Sequence, residues 1–179
     1  MLNASVLDQY PGVDTDAVQA LLEEKCRQDR HKIIVLDDDP TGVQTVHDVS
    51  VYTDWSYDSI KKGFEEDGKL FYILTNSRGF TVEQTTRAHL EIGETAAKVS
   101  EETGIDYVIV SRGDSTLRGH YPLETELLAR AEEKHRGRAV DGEIICPYFK
   151  EGGRFTIGNV HYVKSVSYTH LTLPTNREV

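Results

Sequence analysis

Cysteine and basic charge are both scarce in this chain. Its two cysteines, Cys26 and Cys146, lie far apart among 179 residues and belong to no C-x-x-C pair. That leaves no disulfide framework and no thiolate metal site, so buried thiol packing is the expected role of both. The seven histidines show no H-x-x-x-H spacing, which removes support for a zinc site. Lys and Arg total 20 against 30 Asp and Glu, a formal net charge of −10. Such a balance excludes nucleic acid as the expected partner, because phosphate-backbone binding needs a basic footprint. It does not exclude a small anion, since a few arginines in one pocket outweigh surface charge screened beyond about 10 Å. No apolar run approaches the roughly 20 residues of a membrane span. The opening "MLNASVLDQYPGVD" has no basic segment followed by an apolar one, so no secretory leader is visible and a cytoplasmic location is expected.

What remains is ordinary globular composition, 38% hydrophobic and 28% charged, patterned as alternating strands and helices. Val18, Leu21, Leu22 and Cys26 recur at helical spacing over residues 15–29, with Asp14 or Thr15 able to cap the start. "KIIVLDDD" reads as a buried strand, "DVSVYTDW" as a second, and "YDSIKKGFEEDG" as a short helix stopping near Gly68. "KLFYILTNSRGF" is a third strand running into a polar loop. A long helix begins after the capping box "TVEQ", carries Ala88, Ile92, Ala96 and Val99 on one stripe, and stops at Gly104. "DYVIVSRGDS" is a fourth strand, and Pro122 suits the first turn of a helix through about Lys134 with Leu123, Leu127 and Ala131 inward. "EIICPYF" is expected to be a fifth strand, and "RFTIGNVHYV" a hairpin around Gly158-Asn159.

Strands separated by helices predict an α/β fold, a doubly wound, mostly parallel sheet with helices on both faces. Ligands of such sheets bind beyond the carboxyl ends of the strands. Asp37 to Asp39, Thr75 to Arg78, Ser111 to Thr116 and Pro147 to Lys150 all follow expected strands, so they should meet on one rim. Residues 1–30 form an N-terminal helical extension in this reading, and 31–164 the α/β domain. The last fifteen residues, "SVSYTHLTLPTNREV", show no helical stripe and no convincing strand partner. They resemble a translated sequencing-adapter tail, so 165–179 are expected to be non-native or disordered, with the gene continuing beyond about Lys164.

Two chemistries compete for the aspartates of "VLDDDPTGVQTVHD". "IIVLDDDPTG" fits the D-x-D-x-T signature of haloacid dehalogenase-like phosphatases through Asp37, Asp39 and Thr41, with Asp37 as the nucleophile. The paired acids that hold magnesium after a later strand, and the lysine upstream of them, are not evident. The second stretch, "SRGDSTLRGHYPLE", packs Arg112, Asp114, Ser115, Thr116, Arg118 and His120 into one loop before a helix. An arginine pair there can hold a carboxylate, Asp, Ser and Thr suit sugar hydroxyls, and the helix N-terminus favours an anion. "CPYFKEGGRFTIGNVHYV" adds Lys150 and Arg154 around Gly152-Gly153, and "LTNSRGF" adds Asn76, Ser77 and Arg78.

"DDDPTG", "SRGDSTLRGH" and "CPYFKEGGRFTIGNVHYV", in that order and spacing, resemble the four-carbon acid sugar kinase family over roughly Lys32 to Val163. The resemblance implies an ATP-dependent enzyme with two α/β domains that phosphorylates the terminal hydroxyl of threonate, erythronate or 3-oxo-tetronate. It implies that this chain is the acid-binding half, inactive alone, with ATP and Mg2+ handled by a C-terminal ATP-binding domain not present in it. By resemblance, Asp38 and Asp39 match the catalytic aspartates before Thr41-Gly42, with Thr41 a substrate-binding residue. Asn76, Ser77 and Arg78 match a substrate loop, Arg112, Asp114, Ser115 and Thr116 the central substrate motif, and Gly153-Arg154 a later glycine–arginine pair. Pro40, where an aromatic is common, and the N-terminal helix depart from many members.

Overall fold

A computed structural model describes residues 9–44, 46–114, 118–137, 139–150, 152–163 and 169–172. The chain divides into two units, His31–Ile145 and a second composed of Met1–Arg30 with Cys146–Val179.

In the first unit the apolar run after His31 forms β1 (Lys32–Asp37), in which Ile34 through Asp37 are all buried. β2 (Val51–Tyr52), β3 (Leu70–Leu74) and β4 (Tyr107–Arg112) complete a parallel sheet in the order β2-β3-β1-β4. The α/β class and the parallel sheet are therefore as the alternating pattern implies. β2 keeps only two residues of its expected run, because Asp54 accepts from the Ser56 N–H at 3.0 Å and Ser56 caps the next helix. That helix is α2 (Tyr57–Glu65), followed by α3 (Val82–Thr103) and α4 (Leu123–Arg136).

All three helices contribute to one core on one face of the sheet. Ile34 and Leu36 of β1, Phe71 and Ile73 of β3, and Tyr107 of β4 meet Ile60 and Phe64, Ile92, Ala96 and Val99, and Leu128. Each such side chain contributes about 1.5–3 kcal/mol by leaving water. α3 starts on the expected capping box, Thr81 and Gln84 each accepting the other's backbone N–H, and ends on Gly104 at φ 68°. α3 and α4 approach so closely that a Cβ on Gly93 would lie 2.6 Å from that of Ala131. Pro122 precedes α4, whose Leu127 and Ala131 are buried while Leu123 is half-buried.

The fifth strand is not formed. Glu143–Phe149 makes one bridge, Phe149 to Arg154, while Ile144 and Ile145 are 94% and 53% exposed. The apolar run there is short, and Pro147 offers no N–H to a ladder. β4 consequently lies at the sheet edge.

In the second unit, α1 (Thr15–Gln28) is capped by Asp14, which accepts from the Ala17 N–H at 3.0 Å. The helix forms as its spacing predicts, yet none of its residues is buried. Both cysteines are free and exposed, so the expected thiol packing does not occur. β5 (Arg154–Ile157) and β6 (Val160–Val163) make the expected antiparallel hairpin, with Gly158 and Asn159 at φ 55° and 63°. β7 (Thr169–Thr172) pairs antiparallel with β6, so a strand lies within the segment expected to lack one. Among the described residues no helix is long and apolar enough to cross a membrane.

Candidate functional site

β1 is central, flanked by β3 on one side and β4 on the other, so the chain connections diverge at its carboxyl end. Parallel register aligns Asp37 with Leu74 of β3 and Arg112 of β4. Three of the four polar clusters therefore converge: Asp37 to Asp39, Thr75 to Arg78, and Arg112 to Asp114. The backbone ties them together. The Thr75 N–H donates to the Asp37 carbonyl at 2.9 Å, the Arg78 N–H to that of Asp38 at 3.3 Å, and the Asp38 N–H to that of Arg112 at 3.4 Å.

Three consecutive carboxylates repel, and the structure separates their environments. Asp37 is 1% exposed, and Arg112 Nη1 donates to its Oδ1 from 3.5 Å. Burial pushes the Asp37 carboxyl up to about 6 despite that guanidinium. A side chain on Gly42 would overlap this carboxylate, which explains the glycine of "DPTG". Asp38, 3% exposed, is gripped at both oxygens by Arg78, Nε at 3.1 Å and Nη2 at 2.8 Å. The same guanidinium gives Nη1 to Asp39 at 2.5 Å. Asp39 also accepts the Thr41 N–H at 2.8 Å and hydroxyl at 2.5 Å, and these hydrogen bonds hold its carboxyl below the usual range. Thr41 thus serves the turn as an Asp39 partner.

Asn76 takes the left-handed conformation at φ 52°, which asparagine tolerates, and opens the turn Ser77–Gly79 that aims Arg78 back at Asp38. Asp114 is buried and receives a fork from Arg118, two bonds of 3.0 Å. Ser115 and Thr116 lie outside the described residues. Arg154 opens β5 in the second unit, where it is paired across the hairpin with Val163.

The sugar-binding N-terminal domain model matches residues 33–175. The chain belongs to this family, the N-terminal domain of four-carbon acid sugar kinases. No curated protein and no solved structure gives a significant match.

Glu124 is the sugar-binding domain's largest departure from the residues singled out by motif. Second in α4, it reads from sequence as ordinary acidic dressing of a helix N-terminus. It is in fact 4% exposed, with Oε1 3.4 Å from Ser77 Oγ. Thr75 opens the polar cluster expected at the end of β3. Its Oγ1 is 3.0 Å from both the Asp37 carbonyl oxygen and Ser77 Oγ. His120 Nε2 donates to the Phe80 carbonyl at 2.7 Å and pins the loop before α4. A Cβ on Gly113 would lie 3.9 Å from Glu124 Oε2 and 4.0 Å from Asp38 Oδ2, so both acids face that glycine.

Among the described residues no three His, Cys, Asp or Glu side chains converge as metal ligands. The Asp38 and Asp39 oxygens are turned to Arg78 and Thr41 instead. Chemically the rim offers carboxylates for hydroxyl protons and guanidiniums for a carboxylate.

Proposed function

We propose that this chain is the acid-binding part of an ATP-dependent kinase acting on the terminal hydroxyl of a four-carbon sugar acid of the threonate, erythronate or 3-oxo-tetronate type. The observation that carries this reading is Arg112. Its side chain is 35% exposed at the switch point, and its described carboxylate contact is a long 3.5 Å one to Asp37. A guanidinium so placed suits the carboxylate of a small acid, with Arg78 next to it already committed to the aspartates. Asp39, whose side chain is 22% exposed, positions the hydroxyl and accepts its proton as the oxygen attacks phosphorus, and Asp38, buried and bonded to Arg78 at both oxygens, holds that arginine beside it. Asn76, Ser77 and Asp114 are assigned to the remaining hydroxyls, and the family resemblance adds Ser115, Thr116 and Arg154 to the proposed substrate residues. When bound, ATP with Mg2+ supplies the phosphoryl group. The family resemblance assigns donor binding to a second, ATP-binding domain, and the enzyme is proposed to be cytoplasmic.

The phosphatase reading draws no support from the site. Its nucleophile would be Asp37, a carboxyl 1% exposed and shielded by Gly42. The test is ADP release by the full-length gene product on a panel of four-carbon acids, beside calorimetry with this chain. Turnover by the former and binding without turnover by the latter are expected. Full-length protein inactive on every acid would overturn the assignment.

A further inference from the structure

Glu124 is 4% exposed, yet its two oxygens are unequally supplied with hydrogen bonds. Oε1 is settled. The Asp37 carbonyl takes the Thr75 and Asn76 N–H groups at 2.9 and 3.4 Å, which leaves the Thr75 hydroxyl able to donate to Ser77 Oγ at 3.0 Å. Ser77 then gives its hydrogen to Glu124 Oε1 over a long 3.4 Å. Among the described residues no hydrogen bond and no ion pair reaches Oε2. The nearby cations are engaged elsewhere, Arg78 with Asp38 and Asp39, and His120 with the Phe80 carbonyl. A buried carboxylate oxygen without a donor is costly, and a ligand that brings one repays that cost.

The place beside Oε2 is built for close approach. A Cβ on Gly113 would lie 3.9 Å from Oε2 and 4.0 Å from Asp38 Oδ2, and one on Gly119 would lie 3.5 Å from the same Asp38 oxygen. Both glycines come from "SRGDSTLRGH", and a side chain on either would stand where these oxygens look out. Gly113 also follows Arg112, the arginine assigned to the substrate carboxylate.

We propose that Glu124 is a substrate-binding, specificity-determining residue, its Oε2 accepting a hydrogen bond from the hydroxyl on carbon 2 or carbon 3 of the sugar acid. This rests on the sugar-acid reading above. The occupant of this spot must carry a donor and no negative charge, because Asp38 and Glu124 both border it. The acid therefore lies with its carboxylate toward Arg112 and an internal hydroxyl toward Glu124, which leaves the terminal hydroxyl for Asp39. Arg78 and the N-terminus of α4 already offset the local negative charge, so a neutral hydroxyl suffices as donor. Burial first, then the Asp38 charge, raise the Glu124 carboxyl above its ordinary value, in keeping with a carboxylate short of donors. A site built around a hydroxyl rejects the analogue that lacks it, since the analogue leaves Oε2 buried and unpaired.

The experiment is calorimetry on this chain with erythronate, threonate and their 2-deoxy and 3-deoxy counterparts. The wild type should bind a fully hydroxylated acid roughly tenfold or more tightly than one of the two deoxy acids, the discrimination of one charge-assisted hydrogen bond. In Glu124→Ala that ratio should fall to near one, because the hydroxylated acid weakens and that deoxy acid does not. Glu124→Gln keeps the shape and a hydrogen-bonding group beside Ser77, so it replaces the Ala variant if that one fails to fold, and its ratio should narrow severalfold. A residue that only braces Ser77 would weaken every ligand alike. An unchanged ratio in the variants therefore overturns the role of Glu124, as does a wild type that discriminates against neither deoxy acid. Absence of wild-type binding to any of these acids overturns the sugar-acid reading first and this proposal with it.

Discussion

Asp37 lies at the last position of β1, 1% exposed, with burial lifting its carboxyl to about 6. Above its unfolded value near 3.8 the folded chain therefore holds a proton that the unfolded chain releases. The stability this proton contributes is complete below about pH 4 and is lost as pH rises to about 6. At about 1.4 kcal/mol per pKa unit, the loss is about 3 kcal/mol. Urea unfolding across this window should show it, and Asp37→Asn, neutral throughout, should flatten the curve. Equal slopes in the two proteins would show that Asp37 is not the group responsible. That three aspartates end a buried strand at the rim was legible from sequence. Their division of labour was not. It depends on Gly42 closing over Asp37 and on Arg78 arriving from forty residues along the chain, contacts that no local pattern encodes.

Helices were the most legible elements, because caps and stripes are local. Thr81, Gln84 and Gly104 bracket α3 where the capping chemistry requires. Burial was less legible: α1 has the apolar spacing of a packed helix, yet Val18, Leu21 and Leu22 are each more than half exposed. The expected strand at "EIICPYF" failed for a reason visible in hindsight, Pro147 in a short run. Gly93 shows how packing overrides propensity. Replacing a mid-helix glycine normally stabilises by up to about 1 kcal/mol, but here α4 occupies the space where a Cβ would go. Gly93→Val should therefore lower stability by roughly 1–3 kcal/mol through overpacking. Denaturant midpoints would check it, and a midpoint unchanged or raised would mean that α3 and α4 separate at little cost.

At the scale of the molecule, a net charge of −10 coexists with a rim where Arg78, Arg112 and Arg118 each face a buried aspartate. Composition foresaw an anion pocket only as a possibility. The parallel register brings the strand ends that carry "DDDPTG" and "SRGDSTLRGH" side by side. The fourth cluster followed no strand, because Pro147 falls within its short apolar run. The central claim is that this rim binds a four-carbon sugar acid through its arginines. Calorimetry of erythronate and threonate with the wild type and Arg112→Ala tests it most directly. Measurable binding, weakened by roughly 1–3 kcal/mol in the variant, is predicted for loss of a charge-assisted contact. Unchanged affinity in Arg112→Ala would contradict the assigned role of this residue, and no binding of any such acid by the wild type would contradict the account itself.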